Sequence, residues 1–592
     1  MSRSWHIVLG ITILGLLGGC GPSSDEGATT ADRPNFVIVL ADDQGWGDLS
    51  IHGNTNLATP NIDSLARDGA LFDRFFVCPV CSPTRAEFLT GRYYPRGGVY
   101  GTSAGSERLD LDEVTIADTF KAAGYATGAF GKWHNGGQHP YHPNSRGFDE
   151  YYGFTSGHWA HYFDTPMDHN GEVARGEGFI IDDLTDHAIE FIEQNKDQSF
   201  FAYIPYNTPH SPMQVPDQFY EKFDEAELAM HNREPEKEDI GHIRAALAMV
   251  ENIDWNVGRL LETLDRLQIA DNTVVIYFSD NGPNGTRWNG DMKGRKGSID
   301  EGGVRVPFLI RWPGQIEAGL RVDEIAGASD LLPTLAEMAG VDLISEKPLD
   351  GKSIKPLLDQ TADDWADRMI FSFRPGRAES SVRTQRFRMD TSGQLFDIPA
   401  DPGQRTDVAE QHPDVAAKLR QALDAKTKEI LNELGDDDRG FPVGYNQITL
   451  LPARDGVAEG TIKRSNRFPN ASFFLEWSDT DDRITWDVDV LEAGEYEAVV
   501  YYACPESDLG ATVELRFLEA SVSAKISEGH DPPVIGPDDD RVPRQESVTK
   551  DFRPMTFGKI QLPEGRGKLT LQATDIPGKQ AMEVHSITLR RQ

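Results

Sequence analysis

The feature that most constrains this chain is a repeated order: a short apolar run, then charged or polar side chains within a few positions of its end. Phe36-Val-Ile-Val-Leu40 is a buried strand by composition, and Asp42 and Asp43 follow it. Tyr125 to Phe130 precedes Lys132 and His134, Phe200 to Tyr206 precedes His210, and Val274 to Phe278 precedes Asp280 and Asn281. Helical patterns lie between these runs. Thr59-Pro60 is expected to cap and start a helix through Ile62, Leu65 and Ala66 that ends near Gly69. Thr115 is expected to cap another that stops at Gly124, and His242 to Leu267 reads as a long amphipathic helix. Alternation of this kind predicts an α/β fold from Pro34 to about Gly340. In such folds ligands bind outside the carboxyl ends of the strands, so four strand ends can aim these side chains at one crevice.

Asp42, Asp43, Asp280 and Asn281 offer only oxygen ligands, which favours a hard cation, Ca²⁺ or Mg²⁺, over zinc. A local reading competes: Asp42 or Asp43 as helix caps, and Asp280-Asn281-Gly282 as a turn. The four cysteines, Cys20, Cys78, Cys81 and Cys504, are too few for a disulfide framework. Cys78-x-x-Cys81 lacks the companion ligands of a zinc site. The net charge of −37 argues against a nucleic-acid partner.

The chain of 592 residues is too long for one ordinary domain. Residues 1–20 read as a lipoprotein signal peptide: Arg3, an apolar stretch from Ile7 to Leu17, then Gly18-Gly19-Cys20, with Cys20 as the lipidated residue. A small, polar linker at 21–33 follows. The α/β domain is assigned to 34–366. From 367 to 435 short strands and a helix from Pro413 to about Leu434 suggest a small α+β subdomain. The polar run Gly435 to Gly440 reads as a linker, and 445–592 alternates with period two, as in Ile484-x-Trp486-x-Val488-x-Val490, so an all-β sandwich is expected. The expected location is the periplasm or cell surface, on the outer membrane by the lipid anchor only.

The most informative stretch is Cys81-Ser82-Pro83-Thr84-Arg85, followed by Leu89-Thr90-Gly91-Arg92. Ser82 can cap and Pro83 suits a first helical position, which places Cys81 at a helix N-terminus that favours an anion, with Arg85 in the first turn. A buried Cys81 at an ordinary Ser-Pro helix start is the other local reading, and local physics leaves both open. Beyond local physics, Cys-x-Pro-x-Arg with Leu-Thr-Gly-Arg resembles the signature of type I sulfatases, of the alkaline phosphatase superfamily. The resemblance runs from Asn35 to about Ala409. It takes in Asp42-Asp43, Thr59-Pro60-Asn61, Gly131-Lys132-Trp133-His134, Thr208-Pro209-His210, Ser279-Asp280-Asn281-Gly282, Lys296-Gly-Ser-x-x-Glu301-Gly-Gly-x-Arg305 and Gln394-Leu-Phe-Asp397.

The resemblance implies an alkaline-phosphatase-like mixed sheet flanked by helices, and a sulfatase that hydrolyses sulfate esters of a carbohydrate or aryl alcohol. It implies that a maturation enzyme oxidises Cys81 to formylglycine, whose hydrate attacks sulfur with one hydroxyl and expels sulfate through the other. By the same resemblance Asp42, Asp43, Asp280, Asn281 and residue 81 hold Ca²⁺, with Mg²⁺ as the alternative. Arg85 and His134 would steady and deprotonate the hydrate. Lys132, His210 and Lys296 would bind the sulfate, with His210 or Lys296 protonating the leaving oxygen. Asn135 departs from the family, where an apolar residue is usual. His158, in an aromatic and histidine-rich stretch, is a candidate substrate-binding residue. In the sandwich, Arg467, Phe468, Phe473 and Trp477 are candidates for a sugar platform or for core, and the sequon Asn470-Ala-Ser472 is read as chance. The alternatives carried forward are a phosphonate or phosphate ester hydrolase of the same superfamily, and a non-catalytic surface carbohydrate-binding lipoprotein.

Overall fold

The computed structural model describes residues 33–592 other than 363, 364 and 375. The expected signal peptide with Cys20, and nearly all of the 21–33 linker, lie outside the described residues. Among the described residues no helix is long and apolar enough to cross a membrane.

The first part of the chain is built on one eleven-stranded mixed sheet. Its strands are β1 (Asn35–Ala41), β2 (Ala70–Phe76), β3 (Ala126–Lys132), β4 (Glu150–Phe154), β5 (Pro166–His169), β6 (Glu172–Arg175), β7 (Phe200–Pro205), β8 (Thr273–Ser279), β9 (Arg305–Arg311), β10 (Leu320–Val322) and β11 (Ala326–Gly327). The order is β10-β2-β9-β8-β1-β7-β3-β4-β5-β6, with β11 beside β2. β1 explains why the sheet needs two covers. Val37, Val39 and Ala41 face one apolar cluster, while Phe36, Ile38 and Leu40 face another. A strand apolar on both faces is stable only with helices on both sides. The helices Ile180–Asn195 and Ile240–Arg266 cover the first face. Cys81–Thr90, Ile116–Ala122 and Leu331–Ala339 cover the second.

The central strands β8, β1, β7 and β3 are adjacent and parallel. Their carboxyl ends therefore lie side by side, and each is followed by one of the polar clusters read from the sequence.

Two caps differ from expectation. Thr115 does cap its helix, accepting from Asp118 N while Asp118 Oδ2 accepts from Thr115 N at 2.9 Å. Thr59 does not: its hydroxyl donates to Asp63, and the free N–H groups of Asn61 and Ile62 donate instead to Asp254 Oδ1 at 3.0 and 2.8 Å. Asp254 is nearly two hundred residues away in sequence, which no local pattern can reveal. Nor does Ser82 cap. The helix begins at Cys81 itself, preceded by extended Val80, and no side chain caps it.

Strands Ile370–Phe373, Ser380–Arg383, Phe387–Asp390 and Leu395–Asp397 form an antiparallel sheet, against which the helix Pro413–Leu434 packs Leu419 and Leu423. The remaining chain is β-rich. Its two six-stranded sheets enclose one apolar core that contains Trp477, Trp486, Ile484, Val488 and Val490. Its first strand, Phe441–Val443, pairs with Arg483–Val490. Arg439 ties the preceding segment to the α/β part by donating to Arg108 O and Asp110 Oδ1.

Candidate active site

Asp42, Asp43, Lys132, Arg85, Asp280 and Asn281 are wholly or almost wholly buried at the carboxyl ends of the central strands, and Cys81 sits among them at 4% exposure. Ligand atoms of Asp42, Asp43 and Cys81 all lie within 4.8 Å of one another. Lys132 Nζ donates to Asp42 Oδ2 at 2.6 Å, and Lys296 Nζ reaches Asp43 Oδ1 at 2.7 Å. Arg85 grips Asp280 Oδ2 through Nη2 at 2.8 Å and Nε at 3.2 Å, and its Nη1 donates to Lys132 O at 2.5 Å. Asn281 Nδ2 donates to Asp43 Oδ1 at 2.8 Å. Three carboxylates are thus matched by three fixed cations, which keeps the buried cluster near electroneutrality.

Burial opposes charge on Asp42, yet Lys132, with His210 and Arg85, holds its carboxyl well below the usual carboxylate range. Burial, then the neighbouring Asp42, pushes Asp280 up to about 7. Burial also pushes the Cys81 thiol up to about 11, so at neutral pH the sulfur is a protonated thiol and a poor nucleophile. Cys78, Cys81 and Cys504 are all free and buried.

The donor set fits a hard divalent cation. Asp42 Oδ1 and Asn281 Oδ1 are buried oxygens with no hydrogen-bond partner, although their sister atoms are engaged. Such atoms are costly unless something positive meets them.

Two histidines have tautomers set by their neighbours, because a carbonyl can only accept. His134 Nε2 lies 2.8 Å from Thr102 O and so carries the proton, which leaves Nδ1 as a buried lone pair without a partner. Burial, then Lys132, keeps this imidazole neutral by lowering its pKa well below the ordinary value. His210 Nδ1 donates to Ser211 O at 2.6 Å, and its Nε2 lies 3.6 Å from Asp43 Oδ2. Burial, with Lys296 nearby, lowers His210 as well. Asp43 and His134 both adopt left-handed backbone, φ 67° and 64°. That costs on the order of 1 kcal/mol per residue and turns their side chains off the strand line.

His158 is buried and its ring stacks on His210 at 5.8 Å between centroids. Asn135, the departure noted above, donates from Nδ2 to Ser82 O at 3.3 Å and so braces the start of the Cys81 helix. The candidate metal-binding and catalytic residues, and His158, therefore converge on one locus. Above it opens a cavity of about 920 Å³ that reaches Cys81, His134, His158, His210 and Lys296. Part of its wall comes from the β-rich region, through Phe468, Asn470 and Glu546, which motif spacing could not place. Of the proposed sugar platform only Phe468 faces the cavity, while Phe473 and Trp477 are buried.

A mixed sheet carrying an oxygen-rich, cation-ready cluster and a residue at a helix N-terminus defines a hydrolase of anionic esters. Comparison with known proteins narrows the class. The sulfatase profile matches residues 34–341, more than half of the chain, and the N-sulphoglucosamine sulphohydrolase C-terminal profile matches 295–429. The chain is 32% identical over 406 residues to the N-acetylgalactosamine-6-sulfatase of Mus musculus, covering 62% of this chain and 72% of that protein. It is 32% identical over 423 residues to the steryl-sulfatase of Rattus norvegicus, covering 55% and 70%. The crystal structure of Ps i-CgsB in complex with k-i-k-neocarrahexaose superposes with a TM-score of 0.61 at 31% identity, covering 67% of this chain and 93% of that one. The chain belongs to the sulfatase family, of the alkaline phosphatase superfamily, and is a hydrolase of sulfate esters. These matches favour neither the phosphonate or phosphate hydrolase nor the non-catalytic binding protein.

Proposed function

We propose that the substrate is a sulfated carbohydrate and that the nucleophile is a formylglycine made from Cys81 by a dedicated maturation enzyme. The observation that carries this reading is the Cys81 thiol, protonated and buried beside the carboxylate cluster at an uncapped helix N-terminus. A thiol there is inert, whereas a hydrated aldehyde supplies one hydroxyl to attack sulfur and a second to expel sulfate. Asp42, Asp43, Asp280, Asn281 and residue 81 would hold Ca²⁺, or Mg²⁺ in its place, and the bound cation would bias the neutral cluster toward an anionic ester.

The chain's own groups take the other roles. His134 Nδ1 is the available lone pair and suits the base that removes a hydroxyl proton from the hydrate. Arg85 holds Asp280 in place through a bidentate grip. Lys132 and Lys296 supply positive charge for the sulfate oxygens, and Lys296, kept charged by Asp43 despite burial, can hand a proton to the leaving oxygen. Neutral His210 carries its proton on Nδ1, so it serves as a donor at Nε2 only after protonation. The relatives named for N-acetylgalactosamine 6-sulfate and neocarrahexaose support a sugar substrate. So does a cavity lined by polar groups such as Asn232, Lys237, His242 and Asn284, which would solvate a sugar better than a sterol.

The division into 34–366, 367–435 and 445–592, and lipidation of Cys20 with placement on the outer membrane, are part of the same proposal and rest on the sequence. Mass spectrometry of the tryptic peptide containing residue 81 tests the central claim. An aldehyde is expected in active protein; full turnover with an intact thiol overturns it.

A further inference from the structure

Both family profiles end by residue 429, yet the cavity over Cys81 has a wall made after residue 440. Two loops of the β-rich region build it. One joins strands Lys463–Arg464 and Phe474–Leu475 and carries Phe468 and Asn470. The other spans 536–548 and carries Arg544 and Glu546.

The second loop is clamped to the segment that follows His210. Gln214 Nε2 donates to Gly536 O at 2.8 Å and Asp540 Oδ1 at 2.9 Å, while its Oε1 accepts from Tyr162 N at 2.8 Å. Arg541 N donates to Met213 O at 2.9 Å, and its guanidinium reaches Val215 O at 2.6 Å. Arg544 forms a nearly buried pair with Asp540 at 2.6 Å and donates to Ala160 O at 2.6 Å. The two loops are also tied to each other, by Asn466 Nδ2 to Gln545 O and by Ser465 with Ser547, both at 2.8 Å. The wall is therefore fixed relative to His210 and needs no closure to form.

Its chemistry is mixed in a particular way. Phe468 is 39% exposed, an uncommon state for such a ring, and the Arg467 guanidinium sits 4.5 Å from its centroid. Asn470 is 8% exposed. Its Oδ1 accepts from Ser156 Oγ at 3.3 Å, whereas its Nδ2 has no protein acceptor among the described residues. Gly157 makes this approach possible, because a Cβ there would lie 2.4 Å from Asn470 Nδ2 and 2.6 Å from His134 Nε2. Asn470 is thus a free donor next to the base. Glu546 is held by Ser211 Oγ, adjacent in sequence to His210, and presents a carboxylate to the same space. Lys296 and Arg295 line the same cavity, and no partner holds the Arg295 side chain among the described residues.

We propose that these two loops form the subsite for the sugar ring that carries the sulfate, with Phe468 stacking on the ring face and Asn470 and Glu546 selecting its hydroxyls. An apolar face flanked by a few fixed polar groups is how a site orients an amphipathic ring. The Glu546 carboxylate disfavours a further anionic substituent on that side, because like charges brought close repel. The inference rests on the sulfated-carbohydrate reading above.

The test uses the full chain with residue 81 converted. Wild type is first assayed against 4-methylumbelliferyl sulfate and a panel of singly and multiply sulfated galactose, N-acetylgalactosamine and glucosamine saccharides. Phe468→Ala, Phe468→Tyr, Asn470→Ala and Glu546→Gln are then compared on the aryl sulfate and on the best saccharide. For Phe468→Ala and Asn470→Ala the ratio of kcat/KM on the saccharide to that on the aryl ester should fall by about tenfold, mainly through KM. Phe468→Tyr should keep the ratio, and Glu546→Gln should shift preference toward multiply sulfated saccharides. Phe468 is a surface ring, so its variants report even if Asn470→Ala folds poorly. Equal losses on both substrates, or unchanged ratios with an active saccharide, overturn the subsite alone. A wild type that hydrolyses the aryl ester and no saccharide overturns the carbohydrate reading and the subsite with it.

Discussion

Replacing Arg85 with Met tests the electrostatic logic of the centre. The change keeps a long side chain but deletes the charge and three hydrogen bonds, two to Asp280 Oδ2 and one to Lys132 O. Both members of the ion pair are fully buried. Breaking a buried pair from one side costs about 3–5 kcal/mol, because the remaining charge is left in low dielectric. Asp280 would keep only the contact from Asp43 N to its Oδ1, at 3.2 Å. It already sits near 7 in the metal-free protein, so the variant can relieve the unpaired charge by binding a proton. The loss should therefore be smaller at pH 6 than at pH 8. Hydrogen-exchange mass spectrometry of peptides covering β8, with chelator present, reads the local opening free energy. Adding Asp280→Asn to Arg85→Met should recover about 2 kcal/mol or more, since neighbours in one ion pair are strongly non-additive. A single-variant loss below about 1 kcal/mol, a loss independent of pH, or additive effects in the double variant would refute the reasoning.

Two further outcomes follow from the same structure. Asp42→Asn should strip the bound divalent ion, read as metal content by elemental analysis, and should abolish the rise in melting temperature on adding Ca²⁺; an unchanged metal content contradicts the ligand assignment. Burial pushes His139 and His242 down to about 4 from an ordinary 6.5, so both are neutral when folded, while the unfolded chain takes up their protons below about 6.5. Their contribution to stability is complete above that value and is lost as pH falls toward 4. A melting series should show a drop across this window that His139→Gln makes shallower.

What could be read from the chain follows the range of the physics involved. β1 was legible because all five residues from Phe36 to Leu40 are apolar, and the helix Pro413–Leu434 because its start and period are local. The convergence of Asp42, Lys132, His210 and Asp280 was legible because a parallel sheet places strand ends together. The caps at Thr59 and Ser82 were not, since the donors at the first are met by Asp254 across the fold and the second helix begins one residue early with no side-chain cap. The wall of the cavity was legible only in part. Phe468, Phe473 and Trp477 lie within ten positions and share an aromatic character, and only tertiary packing decides that the first faces the cavity and the others the core.

The burial of Cys81 has a consequence for the timing of synthesis. In the folded protein this residue is 4% exposed and lines a cavity whose other walls come from as far along the chain as 546. The proposed maturation enzyme would need this thiol in its own active site, which a side chain 4% exposed on the wall of a cavity would not enter from the folded protein. While the chain is still emerging, residue 81 exists before Asp280, Lys296 and the β-rich region that will enclose it. Under the proposed conversion, modification would race folding, and the long sequence separation between the pieces of the centre, which slows its assembly, would lengthen the interval in which the thiol can be reached.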